Sequence, residues 1–306
     1  MGYVKKRKIK IKKKNFAIFI IFIMVFTFSV TQVIFLVVKL ATTSKEVKPE
    51  VIEKNEVPEK DNKSAKLNNI NQKIDYFNND YLDRYLNYKN KNTNLTDEQI
   101  IKDVNMNLDQ KKYKDIRKAK NLNTEKILVN KYYYVEKDYV PDNLETISSR
   151  YALSGMKLVD VAKDAFEDMA KDASKESLSI VAMSTYRSYD YQVDLYARYV
   201  REDGEAKADT YAGRPGHSEH QTGLAVDVYN KEENYTNFEK TKEYVWMQQH
   251  AHEYGFVLRF PQEKEEETGY EFESWHYRYV GVKAAKYIKE HNISFEEYYA
   301  TVIKDW

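Results

Sequence analysis

Residues 216–227 read GHSEHQTGLAVD, and this stretch decides how the second half of the chain is understood. Its last part, continued to residue 228 as LAVDV, is apolar and β-branched, the pattern of a buried strand. An aspartate inside such a run is strongly disfavoured if it stays charged and unpaired, so Asp227 demands a cation, a metal or a hydrogen-bond network. Gly223 stands directly ahead of the strand, where a tight turn is expected. The chain has six histidines, and His217 and His220 both fall here. His220 and Asp227 are seven positions apart, so a straight strand would put them on opposite faces. They can share one ion only if the chain breaks between them, and Gly223 is the place for that break. The alternative, two surface-loop histidines and a capping aspartate, leaves the apolar setting of Asp227 unexplained.

A metal site needs a third ligand. His250 and His252 are two apart on a predicted helix and share no face, and His291 sits at a helix end where a cationic side chain is favourable anyway. His276 differs: it lies in FESWHYRYV (272–280), an aromatic and β-branched run, three residues after Glu273. Glu273 could instead form a structural pair with Arg278. Cysteine is absent, so a zinc site would use imidazole and carboxylate. His220, Asp227 and His276 supply two imidazoles and one carboxylate and leave a fourth position open. Glu273 is then the candidate base for the water, which requires that it not be a ligand itself. Arg187 follows the predicted strand LSIVAMS (178–184); its fork suits a carboxylate or a developing oxyanion, against the ordinary alternative of a surface arginine.

Outward from this core, residues 156–173 are expected to be helical, with Leu158, Val161, Ala162, Ala165, Phe166 and Met169 on one face. Residues 189–200 and 236–254 are two further helices, the second ended by Gly255. ILVNKYYYV (127–135), FVLRF (256–260) and 272–280 read as strands, and Thr96, Thr236 and Ser294 as N-caps of capping-box type. Strand and helix do not alternate regularly, so the expected fold is α+β: one catalytic domain, residues 126–306, with a mainly antiparallel central sheet flanked by helices. A helical extension, residues 70–125, precedes it.

Eight basic residues between positions 5 and 14 precede an uncharged, mostly apolar run over 16–38, long enough to span a bilayer. No small-residue cleavage pattern follows. The organisation expected is a cytoplasmic tail over 1–14, a transmembrane signal anchor over 15–39, and a solvated linker over 40–69, with the rest extracellular. The net charge of +1 carries no sign of a nucleic-acid partner, and no protein partner is evident.

Three motifs in order then resemble one family. SEHQTGLAVD (218–227) is similar to the Ser-x-His-x-x-Gly-x-Ala-x-Asp motif of VanY-type D-alanyl-D-alanine carboxypeptidases, ESWH (273–276) to their Glu-x-x-His motif, and YRSYDYQ (186–192) to their Tyr-Arg-Ser-x-x-x-Gln segment. The resemblance implies one zinc ion on His220, Asp227 and His276, Glu273 as catalytic base, and Arg187 as the arginine facing the substrate carbonyl or terminal carboxylate. It further implies that Gln192 and Ser218 help hold a C-terminal D-alanine. Ser274 stands where family members usually carry proline. The implied partner is a peptidoglycan stem peptide, with D,D- or L,D-cleavage equally open. Two alternatives are an endopeptidase on the same scaffold, which needs no carboxylate clamp, and a non-catalytic wall-binding module, which needs no base.

Overall fold

A computed structural model describes residues 70–306. The expected tail, anchor and linker (1–69) lie outside the described residues; among the described residues no helix is long and apolar enough to cross a membrane. The first α-helices among the described residues are α1 (Leu82–Lys91) and α2 (Asp97–Asn105). Thr96 caps α2 in a full capping box with Gln99. Their facing apolar positions, with Ile70, form a small core of their own that includes Leu82, Tyr85, Ile100, Ile101 and Val104. The Arg84 guanidinium of α1 donates to the Val104 carbonyl of α2 and to Asp109 just beyond it.

Short ladders follow: β1 (Arg117–Lys118) pairs in parallel with β2 (Tyr133–Tyr134), and β3 (Leu144–Thr146) antiparallel with β4 (Lys157–Val159). The apolar run 127–135 is therefore mostly buried irregular chain, with only two residues paired as strand. Helix α3 (Asp160–Lys175) begins later than its periodicity predicts, because 157–159 joins a ladder. Val161, expected on the buried face, is exposed, whereas Phe166, Met169 and Ala173 are buried.

The central sheet has four strands in the order β5 (Val181–Ser184), β6 (Ala225–Tyr229), β8 (His276–Tyr279), β7 (Phe256–Leu258), all antiparallel. An antiparallel central sheet with helices packed on it matches the expected α+β class. Register places Asp227 directly opposite His276 on one side and Ser184 on the other. The pairing of β5 slips between Ala182 and Ser184, an irregularity of the kind that re-aims side chains beside active sites. Between β5 and β6 run α4 (Tyr189–Asp203) and α5 (Glu205–Tyr211). The predicted helix 236–254 is three pieces, a 3-10 segment Tyr235–Lys240, α6 (Lys242–His250) and a 3-10 segment Ala251–Tyr254. Its cap is Thr241 rather than Thr236. Gly255 follows in the left-handed conformation. After a short α7 (Glu265–Thr268), β8 leads to α8 (Val282–His291) and α9 (Phe295–Tyr298), the latter capped by Ser294. One continuous core of Ile, Leu, Val, Phe and Tyr side chains joins the sheet to α3, α6 and α8.

Candidate metal centre

The break required between His220 and Asp227 exists. Glu219–Thr222 forms one 3-10 turn, and Gly223 leaves it with a φ of +68°, left-handed geometry that a Cβ would strain. The turn folds His220 back over β6. His220 and Asp227 then lie with Nε2 and Oδ2 3.3 Å apart, and His276 arrives from the neighbouring strand with Nδ1 2.9 Å from Asp227 Oδ1. The two imidazole rings meet edge to face at 5.0 Å. All three side chains are buried, and their ligand atoms lie within 4.8 Å of one another. Two imidazole nitrogens and a carboxylate oxygen so placed are a donor set that suits zinc.

Neighbours fix the rings. Nδ1 of His220 donates to the Thr185 carbonyl at 2.6 Å, which leaves the Nε2 lone pair turned inward. His276 has Nδ1 toward Asp227 and Nε2 toward the Glu219 carboxylate at 3.5 Å, with the Phe260 ring stacked on it at 4.9 Å. Burial, and then the Arg187 charge, push His220 down to about 4, so it is neutral and able to ligate. Burial works against a charge on His276 too, but its hydrogen bonds to the Asp227 and Glu219 carboxylates outweigh it and raise the ring to about 9. Burial would raise Asp227, yet its close contacts with His220, His276 and the Arg187 guanidinium hold it well below the usual carboxylate range.

Glu273 sits in the turn before β8, where its amide donates to the Phe260 carbonyl and its carbonyl accepts from His276 N–H. Its Oε2 is 3.8 Å from His276 Nδ1. Burial pushes its carboxyl up to about 8, with His276 pulling the other way. Arg187 lies across the site: Nε donates to Ser184 Oγ at 3.0 Å, Nη1 to Gln192 Oε1 at 3.3 Å, and Nη2 to Asp227 Oδ2 at 2.8 Å. Nη2 is also 2.7 Å from His220 Nε2. Gln192 in turn donates to the Gly213 carbonyl at 2.8 Å. Arg187, Gln192, Ser218, His220, Asp227, Glu273 and His276 all line one cleft of about 570 Å³. His217 also reaches its wall, but its Nδ1 donates to the Asn130 carbonyl at 2.7 Å and its ring packs against Tyr113 and Tyr134. His250, His252 and His291 lie outside the cleft.

Sequence reasoning missed the charged layer beneath these residues. Glu219 accepts from Arg259 Nε at 2.8 Å and Arg278 Nη1 at 2.9 Å, and Arg259 is clamped bidentately by Glu296 at 2.7 and 2.5 Å. All four are buried. Arg278 therefore pairs with Glu219, not with Glu273. The signal was available: FVLRF and HYRYV each carry one arginine in a buried strand, and a buried arginine requires an acid. A second feature without a sequence signal is the edge-to-face pair Tyr235–Trp275 at 5.1 Å on the cleft rim.

Comparison with known proteins adds four likenesses. Residues 155–282 match the family model described as VanY, D-alanyl-D-alanine carboxypeptidase. YodJ of Bacillus subtilis (strain 168), whose name assigns it as a carboxypeptidase, is 38% identical over 216 residues, covering 64% of this chain and 77% of that protein. Among solved structures, the LdcB LD-carboxypeptidase superposes with a TM-score of 0.58 at 37% identity, covering 63% of this chain and 93% of LdcB. The vancomycin-resistance D,D-pentapeptidase VanY, solved in complex with Zn(II), gives 0.50 at 31%, covering 57% of this chain and 98% of that one.

Proposed function

Because this chain belongs to the VanY family of D-alanyl-D-alanine carboxypeptidases, we propose that it removes the C-terminal D-alanine from peptidoglycan stem peptides with one zinc ion held by His220, Asp227 and His276. The observation that carries the reading is the convergence of those three ligand atoms beside Glu273 and Arg187 in a single cleft. When bound, zinc supplies Lewis-acid chemistry, acidifying water and polarising a carbonyl. The remaining work falls to the chain's own groups. The Glu273 carboxylate takes the proton of the attacking water and returns it to the leaving amine of D-alanine. Its burial keeps its proton affinity near the working range, and a divalent cation beside it favours the ionised, accepting form. Arg187, anchored on Ser184 and Gln192, offers its remaining N–H groups to the substrate's carbonyl and terminal carboxylate. Ser218, on the same wall, contributes to holding the D-alanine. A carboxylate clamp of this kind favours a carboxypeptidase over an endopeptidase, and the base beside the ligands favours an enzyme over a binding module.

The cellular setting in this proposal rests on the sequence: the basic tail and the apolar run over 16–38 anchor the chain, with the N-terminus cytoplasmic and the catalytic part facing the wall. The test is mass spectrometry of defined tetra- and pentapeptide muropeptides incubated with zinc-loaded protein. Loss of one D-alanine from either is expected, and which one is consumed reads the bond directly. Glu273→Gln should retain zinc and lose about 100- to 10,000-fold in kcat. An unchanged mass for both substrates would overturn the proposal.

A further inference from the structure

We propose that Glu219 is a positioning residue for His276, holding its Nε2 so that Nδ1 is the nitrogen offered to the metal; the inference rests on the zinc reading above. Glu219 sits on the 3-10 turn immediately before His220, and its two oxygens have separate tasks. Oε1 accepts from both Arg259 and Arg278. Oε2 takes neither arginine and faces Nε2 of His276 at 3.5 Å. The opposite edge of the same ring, Nδ1, faces Asp227 at 2.9 Å and Glu273 at 3.8 Å, where the metal ligands converge.

The carboxylate is held in place from behind. Arg259 is clamped by Glu296 on α9, and Arg278 donates from Nη2 to the Ile127 carbonyl at 2.7 Å. If Glu219 rotated away, Arg278 would lose its carboxylate partner in a fully buried setting and Arg259 would keep Glu296 alone, which is strongly disfavoured. Two glutamates against two arginines also leave the layer without net charge, so it does not repel a cation bound above it. Metal-ligating histidines commonly donate their second N–H to a carboxylate or a backbone carbonyl. This site holds one of each: Thr185 O on Nδ1 of His220, and Glu219 on Nε2 of His276. The two imidazoles thus present different nitrogens to one point, as their arrival from a turn and from a strand requires.

The experiment measures the zinc dissociation constant of the full-length protein by competition with a chromogenic chelator, alongside the visible spectrum of the cobalt-substituted form. Glu219→Gln should weaken zinc about 10- to 100-fold and shift the cobalt bands, whereas Glu296→Gln, which opens the same layer without touching His276, should lower the melting temperature and change zinc affinity by less than about threefold. If Glu219→Gln does not fold, nitrogen NMR of the unmodified zinc-loaded protein decides, with Nε2 of His276 expected to carry a proton. Unchanged affinity and cobalt spectrum in Glu219→Gln, or a metal-bound Nε2 on His276, would overturn the assignment. Failure of the unmodified protein to bind zinc would overturn the metal reading itself, and this assignment with it.

Discussion

Arg187 stands where two demands meet. Its Nη2 donates to Asp227 and faces the His220 lone pair, the same atoms that zinc requires. One lone pair cannot serve a cation and a guanidinium together, so on the proposed zinc reading Nη2 would be released for the substrate while Nε and Nη1 stay on Ser184 and Gln192. Lysine has no such fork. Arg187→Lys should therefore keep its zinc and lose about 10- to 1,000-fold in kcat/KM on a free-carboxylate muropeptide, the range for one oxyanion-type donor. Steady-state kinetics with parallel metal analysis would check both halves. His217 supplies a contrast at the same scale. Burial, reinforced by nearby Arg214, pushes its ring below the ordinary 6.5, although Asn130 pulls the other way. A depressed histidine is neutral when folded and protonated when unfolded, so its contribution is intact above that ordinary value and lost as the pH falls below it. Melting temperatures measured from pH 7.5 downward should fall less steeply in His217→Gln than in the unmodified protein, and the variant should still bind zinc.

At the scale of elements, the site depends on one turn and one register. Gly223→Ala would put a Cβ 2.9 Å from Leu144 Cδ2 and 3.1 Å from Val159 Cγ1, in a left-handed conformation that alanine resists. We expect a destabilisation of about 1–3 kcal/mol from the backbone strain, read by urea unfolding, with weaker zinc binding because the turn carries His220. This part of the site was legible in the sequence, because an apolar run, a glycine and an out-of-place aspartate are all local signals. Arg187 at a strand end and His276 in an aromatic run were legible for the same reason. The layer formed by Glu219, Arg259, Arg278 and Glu296 was not read, because its partners lie 37 to 59 residues apart and their pairing is a property of the assembled sheet. Helical periodicity likewise overran at 156–159, where a ladder with residues 144–146 competes with the helix, and at 235–254, where Thr241 restarts the helix.

For the whole molecule, a ligand set drawn from a turn and two strands means that the proposed zinc would bind the folded state and not the unfolded chain. Removing it with a chelator should cost about 2.7 kcal/mol relative to a zinc concentration 100-fold above the dissociation constant. That corresponds to a drop of about 5–10 °C in melting temperature for a domain of this size, checked by calorimetry with and without chelator. The buried charged layer has a consequence in time as well as in space. Glu296 completes the clamp on Arg259 and lies 37 residues beyond it, on the last α-helix described. A ribosome must therefore pass residue 296 before the floor beneath His276 can assemble. A polypeptide that stalls or is clipped short of that point carries His220, Asp227, Glu273 and His276 yet leaves Arg259 with Glu219 as its one carboxylate within the layer. The order of synthesis thus sets an order of assembly: the strands and the 3-10 turn that carry the three ligands leave the ribosome first, and the charged layer beneath them closes last.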